Sequence, residues 1–483
     1  MKSILLTISI IISLFTGLHA QIYNLTVVNG YGSRDYHVGD TVHIWSVAYD
    51  NTKTFLKWTG DTQYMENPDE WHTTLIMPNQ NISVTSVIVN MPTYTINYEQ
   101  IMGKNNLKNV YYCFPQNLKG IIYFFHGTGG SASGWVDKVE NRSLVNAAVA
   151  DTFGVIITEA EEITLNTDLN GDGKLRWLTF PLDTINGIDY LNIKILTDTF
   201  VNRGYISHSI PKYSVGMSNG GSFSAAISYA YHYKAGISYC ASSVQPIFIA
   251  RNNPFAFRMA KYDDNAEVGP TGNYQAWQND SILKSRSICH DYQLHDRQPI
   301  YPQRFARIQG VSLATSQLIF NELLLNNQID ANGYAIQADT ILSNYQSNPT
   351  AYPTLSSLTS DQKLDVLTQL SVSNAEHNFY SDLNHETLSF LNQLCSTETG
   401  VSNTELNDDK IKVYPNPANN IIVINIPEGS YCISIYNHLG QRVKYLNEVS
   451  GQSSIDLTDF NSGIYIIKAV SQKNILTTKF IKQ

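Results

Sequence analysis

Apolar positions change their spacing along this chain, and each change predicts a different kind of structure. Over residues 21–91, Thr, Val, Tyr and Trp alternate with polar residues in short runs such as Thr41-Val42-His43-Ile44-Trp45, broken at Asn29-Gly30 and Gly39-Asp40. A period of two between turn signals predicts a small all-β module. Across residues 92–397 the runs become continuously apolar, as in Gly120-Ile121-Ile122-Tyr123-Phe124-Phe125 and Ala235-Gly236-Ile237-Ser238-Tyr239, and they alternate with helical segments. Strands apolar on both faces, separated by helices, predict a mainly parallel sheet with helices on both sides. Residues 398–411 are polar and acidic without periodicity, which predicts a linker. Residues 412–483 return to short strands and turns, such as Ile421-Ile422-Val423-Ile424 and Gly463-Ile464-Tyr465-Ile466-Ile467, and predict a compact β-sandwich.

The composition narrows the class. With 483 residues, 43% of them hydrophobic, the chain is long enough for several domains. Its net charge of −9 comes without a basic block, which argues against a nucleic-acid partner. At the N-terminus Lys2, the apolar run Ile4 to Phe15 and the small Ala20 predict a signal peptide over residues 1–20, cleaved before Gln21. No other apolar run approaches the roughly 20 residues that span a bilayer, so no transmembrane segment is expected. Cys113, Cys240, Cys289, Cys395 and Cys432 lie far apart, without zinc-ligand spacing. One or two disulfides fit an exported chain, and Cys240, in its apolar run, is expected to be an unpaired buried hydrophobe.

The chemistry concentrates around Gly216-Met217-Ser218-Asn219-Gly220. Tyr213-Ser214-Val215 reads as the end of a strand and Gly221 to Tyr233 as a helix, so Ser218 is placed on a tight strand-to-helix turn, with glycines where a Cβ would clash. A serine there is a nucleophile, and the N–H of Asn219, at the helix start, is an oxyanion donor. Upstream, the strand Ile121 to Phe125 ends in His126-Gly127-Thr128-Gly129-Gly130. This is the pattern of the loop that gives the second donor in α/β-hydrolases; Thr128 is the expected donor, Gly129 the alternative, and His126 a residue that orients the loop.

A serine alcohol needs an imidazole to take its proton and a carboxylate to orient that imidazole. The fold's order, Ser then acid then His, directs the search downstream. His377 in Asn374-Ala375-Glu376-His377-Asn378 precedes a terminal helix and is the expected base, with His385 inside that helix as the alternative. The acid is sought in Lys261-Tyr262-Asp263-Asp264-Asn265, just beyond the late strand Pro254 to Ala260. Asp263 is the choice, in the place of the acid in a Gly-x-x-Asp loop with Ala260 standing for the glycine, and Asp264 stays open.

The Gly-Met-Ser-Asn-Gly-Gly elbow, preceded by Ile188-Asp189-Tyr190, resembles the poly(3-hydroxybutyrate) depolymerase and feruloyl-esterase-like branch of the α/β-hydrolases. The resemblance covers roughly residues 115–392 and is weak over 265–370, where helices over the pocket are expected. It implies a carboxylic-ester hydrolase that needs no cofactor and acts on a polyester or plant-derived ester; a serine peptidase of the same fold and a non-catalytic adhesion protein are the alternatives. Residues 21–91, with Phe55-Leu56-Lys57-Trp58-Thr59-Gly60-Asp61 and Met77-Pro78, resemble the internalin-type B-repeat. Trp45 and Trp58 are expected to fill that module's core.

Tyr414-Pro415-Asn416-Pro417, Tyr436-Asn437-His438-Leu439-Gly440 and Ser462-Gly463-Ile464-Tyr465 resemble the C-terminal sorting domain of the type IX secretion system, which implies an outer-membrane export machine as partner and a secreted or cell-surface location. One motif stands apart. Asp168-Leu169-Asn170-Gly171-Asp172-Gly173 has the first three oxygen ligands and the glycine of a calcium loop, but Thr179 stands where the bidentate glutamate belongs. A structural Ca²⁺ and an Asx-stabilised turn are the two readings.

Overall fold

The computed structural model describes residues 21–47, 53–90, 94–395, 411–426, 429–437, 442–471 and 475–483. The expected leader, the expected linker as far as residue 410 and most of the turn after Asn437 lie outside these residues. The chain divides into two compact units, residues 1–395 and 396–483.

An eight-stranded sheet organises the first unit: β1 (Asn97–Met102), β2 (Leu107–Cys113), β3 (Gly120–Phe125), β4 (Phe153–Ile157), β5 (Lys212–Met217), β6 (Ala235–Tyr239), β7 (Phe255–Ala260) and β8 (His290–His295). Their order is β1-β2-β4-β3-β5-β6-β7-β8, with β2 antiparallel to both neighbours and the pairs from β4 to β8 parallel. This is the α/β-hydrolase sheet. The helices that position the site are α1 (Val139–Ala150), α2 (Ile188–Asn202), α3 (Asn219–Ala230), α4 (Gly269–Ser285), α5 (Ser360–Ser373) and α6 (Asn384–Gln393).

Strand β3 shows why its sequence is apolar throughout. Ile121, Tyr123 and Phe125 enter one core with Ile193 and Leu196 of α2 and Phe223 of α3, while Ile122 and Phe124 enter the other with Leu144 of α1 and Leu391 of α6. Successive side chains point to opposite faces, so a strand covered on both sides has no position left for polar residues.

The stretch 265–370 contributes α4, then a strand, then helices. Strand β8 was not foreseen, because His290-Asp291-Tyr292-Gln293-Leu294-His295 is a half-exposed edge with neither an apolar run nor clean alternation. The helices beyond it gather around a separate core of Ile319, Leu323, Ile341, Val366 and Leu370, joined by Val139 at the start of α1.

Residues 22–90 form two sheets. Arg34–His37, Ile22–Val28, Ile82–Asn90 and Lys53–Gly60 pair in that order, and Gly30–Tyr31, Thr41–Ser46 and His72–Ile76 make the second sheet. Trp58 is buried among Leu25, Ile44, Leu75 and Val84, inside the module as expected. Trp45 corrects the expectation. It is buried against Trp71 and Tyr301, and the latter belongs to the segment that follows β8. Period-two alternation turns Trp45 inward without saying which part of the chain covers it.

Cys289 and Cys395 form a disulfide, and Cys240 is unpaired and fully buried. In the second unit a three-stranded and a four-stranded sheet enclose Ile422, Ile424, Ile433, Ile435, Ile467 and Phe480.

Candidate active site

The turn between β5 and α3 leaves no freedom in its glycines. A Cβ on Gly216 would lie 2.0 Å from the Gly220 carbonyl oxygen, and one on Gly220 would lie 2.3 Å from the Phe125 oxygen. Ser218 itself takes φ 56° and ψ −126°, a left-handed conformation that a non-glycine residue adopts only under constraint. Its N–H donates to the Tyr239 carbonyl at 2.8 Å, which ties the turn to the end of β6.

Two loops from distant parts of the sequence meet this serine. His377 Nε2 lies 2.9 Å from Ser218 Oγ, and His377 Nδ1 lies 2.7 Å from Asp263 Oδ2. With Nδ1 carrying its proton toward the carboxylate, Nε2 is free to accept the serine proton. The Asp263 side chain is completely buried and its other oxygen accepts the Asn265 N–H at 3.0 Å, which fixes the carboxylate plane. Asp264, the open alternative, is exposed. His385 is exposed on α6, with Nε2 3.2 Å from Ser389 Oγ.

The loop after β3 passes beside the serine. A Cβ on Gly127 would lie 3.2 Å from Ser218 Cβ, so the backbone of residues 127–128 runs against Ser218. The Gly129 N–H is engaged by the Leu175 carbonyl at 2.8 Å, whereas the Thr128 N–H has no backbone acceptor among the described residues. The Asn219 N–H opens α3 beside Ser218.

The segment around Trp177 carried no signal in the sequence, yet it connects both halves of the site. Asn219 Oδ1 accepts the Trp177 N–H at 2.8 Å, and the Trp177 indole N–H donates to the His126 carbonyl at 3.0 Å. Asp189 anchors this segment by accepting the Glu161 and Leu178 N–H groups, each at 2.8 Å; burial pushes its carboxyl up to about 6.

His126 holds the loop in the way expected of an orienting residue. Nε2 accepts the Ala160 N–H at 3.1 Å, and the protonated Nδ1 sits 2.7 Å from the Gly127 carbonyl. Burial pushes its imidazole down from 6.5 to about 4, so it stays neutral. The unfolded chain protonates this histidine as pH falls through about 6.5, while the folded chain does so only near 4, and stability is lost across that window. Asp189 and Asp365, each raised to about 6 by burial, act in the opposite sense, so a variant comparison isolates the histidine. Between pH 7 and pH 5 the His126→Asn variant should lose about 2 kcal/mol less unfolding free energy than the parent, read from urea melts at the two pH values.

Among the described residues, the cluster with the spacing of metal ligands is Cys240, Asp263 and His377, whose ligand atoms lie within 4.8 Å of one another. It coincides with the His377–Asp263 pair just described. Burial pushes the Cys240 thiol up, so it remains protonated beside the pair. In the loop 168–173 the Asp168 carboxylate accepts the N–H groups of Gly171 and Gly173 at 2.7 Å each, and Arg176 pairs with Asp172.

The chain is similar in fold to a ferulic acid esterase at 10% identity, covering 42% of this chain and 91% of that one, with a TM-score of 0.32. It is also similar to an S-formylglutathione hydrolase from Agrobacterium tumefaciens at 11% identity, covering 42% and 87%, with a TM-score of 0.33. A dienelactone hydrolase from Anabaena variabilis matches at 16% identity over 47% and 95%, with a TM-score of 0.31. No curated protein matches the chain in sequence. No helix among the described residues is long and apolar enough to cross a membrane. Residues 412–483 match the family described as the secretion system C-terminal sorting domain. The chain thus carries a type IX secretion sorting domain and is exported, to be secreted or attached at the cell surface.

Proposed function

We propose that this protein is an exported serine hydrolase that cleaves carboxylic esters through an acyl-enzyme. The observation that carries the proposal is the connected line from Ser218 Oγ through His377 to Asp263, at 2.9 Å and 2.7 Å, on a constrained turn beside the 127–128 backbone. Ser218 Oγ attacks the ester carbonyl carbon while His377 Nε2 takes its proton, and Asp263 stabilises the resulting imidazolium. The oxyanion is received by the N–H groups of Thr128 and Asn219. Collapse of the tetrahedral intermediate expels the alcohol, which takes the proton back from His377, and leaves the acyl group on Ser218. Water, deprotonated by the same imidazole, then releases the acid. No step needs a metal or an organic cofactor.

The acyl group is assigned to a polyester or a plant-polymer-derived ester, in keeping with the elbow's resemblance to poly(3-hydroxybutyrate) depolymerases and feruloyl esterases and with export. A surface feature supports a long substrate. Tyr274 and Trp277 on α4 stack with ring centroids 5.8 Å apart, and are 58% and 51% exposed. Asn273 of the same helix donates to the Ala260 carbonyl, where the acid loop begins, and Ser242, just past β6, donates to Gln275. The helix that carries the aromatic pair is thus tied to the ends of β7 and β6, from which the acid loop and the Ser242 segment leave. Trp277→Ala should slow product release from a polymer film about five- to tenfold and leave hydrolysis of p-nitrophenyl acetate unchanged, because only a long substrate reaches the pair.

A substrate panel tests the proposal: p-nitrophenyl esters, methyl ferulate, poly(3-hydroxybutyrate) film and a casein digest. Turnover of esters without peptide cleavage is expected. Peptide cleavage without ester turnover would overturn the ester assignment while keeping the serine mechanism.

A further inference from the structure

The chain that leaves His377 is fastened at one residue after another. Phe379 packs against Tyr239 and Trp135, with ring centroids at 4.4 Å and 4.9 Å. Tyr380 stacks on His295 and donates its hydroxyl to the Met259 carbonyl. Ser381 gives both its N–H and its hydroxyl to the buried Glu140 carboxylate. These partners belong to the α/β-hydrolase sheet and the helices around it.

The next partners come from the N-terminal β module. The Trp71 indole N–H donates to the Ser381 carbonyl at 3.3 Å. His72 Nδ1 lies 3.4 Å from one Asp382 oxygen, while the other accepts the Gln298 amide at 3.0 Å. His72 Nε2 in turn lies 3.0 Å from His43 Nδ1. Farther along, Glu70 accepts the Glu386 N–H at 3.0 Å and Asn67 donates to the Glu386 carboxylate at 2.9 Å. Trp71, Glu70 and Asp382 are all buried, and the Trp71 ring lies 4.4 Å beneath the Arg307 guanidinium.

A module that served as a separate binding domain would turn its aromatic residues to solvent. Here Trp45 and Trp71 face the catalytic domain, and one oxygen of the buried Asp382 carboxylate faces His72 of the module. Buried polar groups of this kind hold a segment in one place only while every partner is present. A base that must meet both an oxygen nucleophile and a carboxylate tolerates displacements well under an ångström.

We infer that the N-terminal module is a brace for the histidine loop, with Trp71 and His72 of the module and Asp382 of the loop as positioning residues that act through His377. The kinetic consequence rests on the serine-hydrolase reading above; the structural consequence does not.

The test uses the full exported chain. Hydrogen–deuterium exchange of residues 377–386 is compared among the parent, His72→Ala, the milder Trp71→Phe, which keeps the ring and removes the N–H, and Val84→Ala, a control in the module's own core. Exchange in 377–386 should rise about tenfold in His72→Ala, rise less in Trp71→Phe and stay at the parent rate in Val84→Ala. On p-nitrophenyl butyrate, kcat should fall about tenfold in His72→Ala with KM within about twofold, and the acidic limb of kcat/KM should move to lower pH as the Asp263–Nδ1 bond loosens. Parent-like exchange in folded His72→Ala, or in Trp71→Phe should His72→Ala fail to fold, overturns the inference. Raised exchange with unchanged kcat and pH limb overturns the positioning role. A parent chain that hydrolyses neither ester nor peptide but shows the exchange pattern sinks the serine reading and leaves the brace standing.

Discussion

Ser218→Ala should abolish ester hydrolysis, lowering kcat about 10⁴- to 10⁶-fold while the chain stays folded. The hydroxyl accounts for the chemistry and for little of the stability. The backbone of the turn is fixed by the Ser218 N–H bond to Tyr239 and by the contacts of Gly216 and Gly220, none of which involves the Oγ atom. Steady-state rates on p-nitrophenyl butyrate, with a thermal melt on the same sample, check both halves. A variant that melts like the parent and keeps its rate places the nucleophile elsewhere.

Asp263→Asn should be nearly as damaging, at about 10⁴-fold in kcat, although it changes one atom. An amide in place of the buried carboxylate presents an N–H to His377 Nδ1, and the imidazole responds by moving its proton to Nε2, the nitrogen that must be bare to accept from Ser218. The amide also withdraws the charge that balances the imidazolium. Because the side chain is completely buried and its other oxygen takes the Asn265 N–H, the site offers no water to compensate. Asp264→Asn, on an exposed neighbour, should cost less than about twofold, and the contrast between the two variants at pH 8 is the informative reading.

Much of this arrangement was legible in the sequence because it depends on local geometry. Gly216 and Gly220 announce a turn that has no room for a Cβ, and β3 announces by its unbroken apolar run that it is covered on both faces. The residues of the acid and histidine loops were reachable from chain order. The Gly-x-x-Asp spacing favoured Asp263 and left Asp264 open, because only packing against β7 and the histidine loop decides which of the two side chains faces the interior. Strand β8 stayed hidden because an edge strand requires little burial. Trp177 and the docking of Trp45 and Trp71 stayed hidden for a different reason: each depends on a partner far away in the sequence, to which no short-range pattern points.

The central claim is that Ser218 is a nucleophile activated by His377. The measurement that meets it most directly is covalent labelling by a fluorophosphonate, followed by peptide mass spectrometry. A single phosphonyl adduct on Ser218 is expected, formed at least about a hundredfold more slowly in His377→Ala and absent from Ser218→Ala. A folded chain that takes no label, or takes it on another residue, contradicts the account.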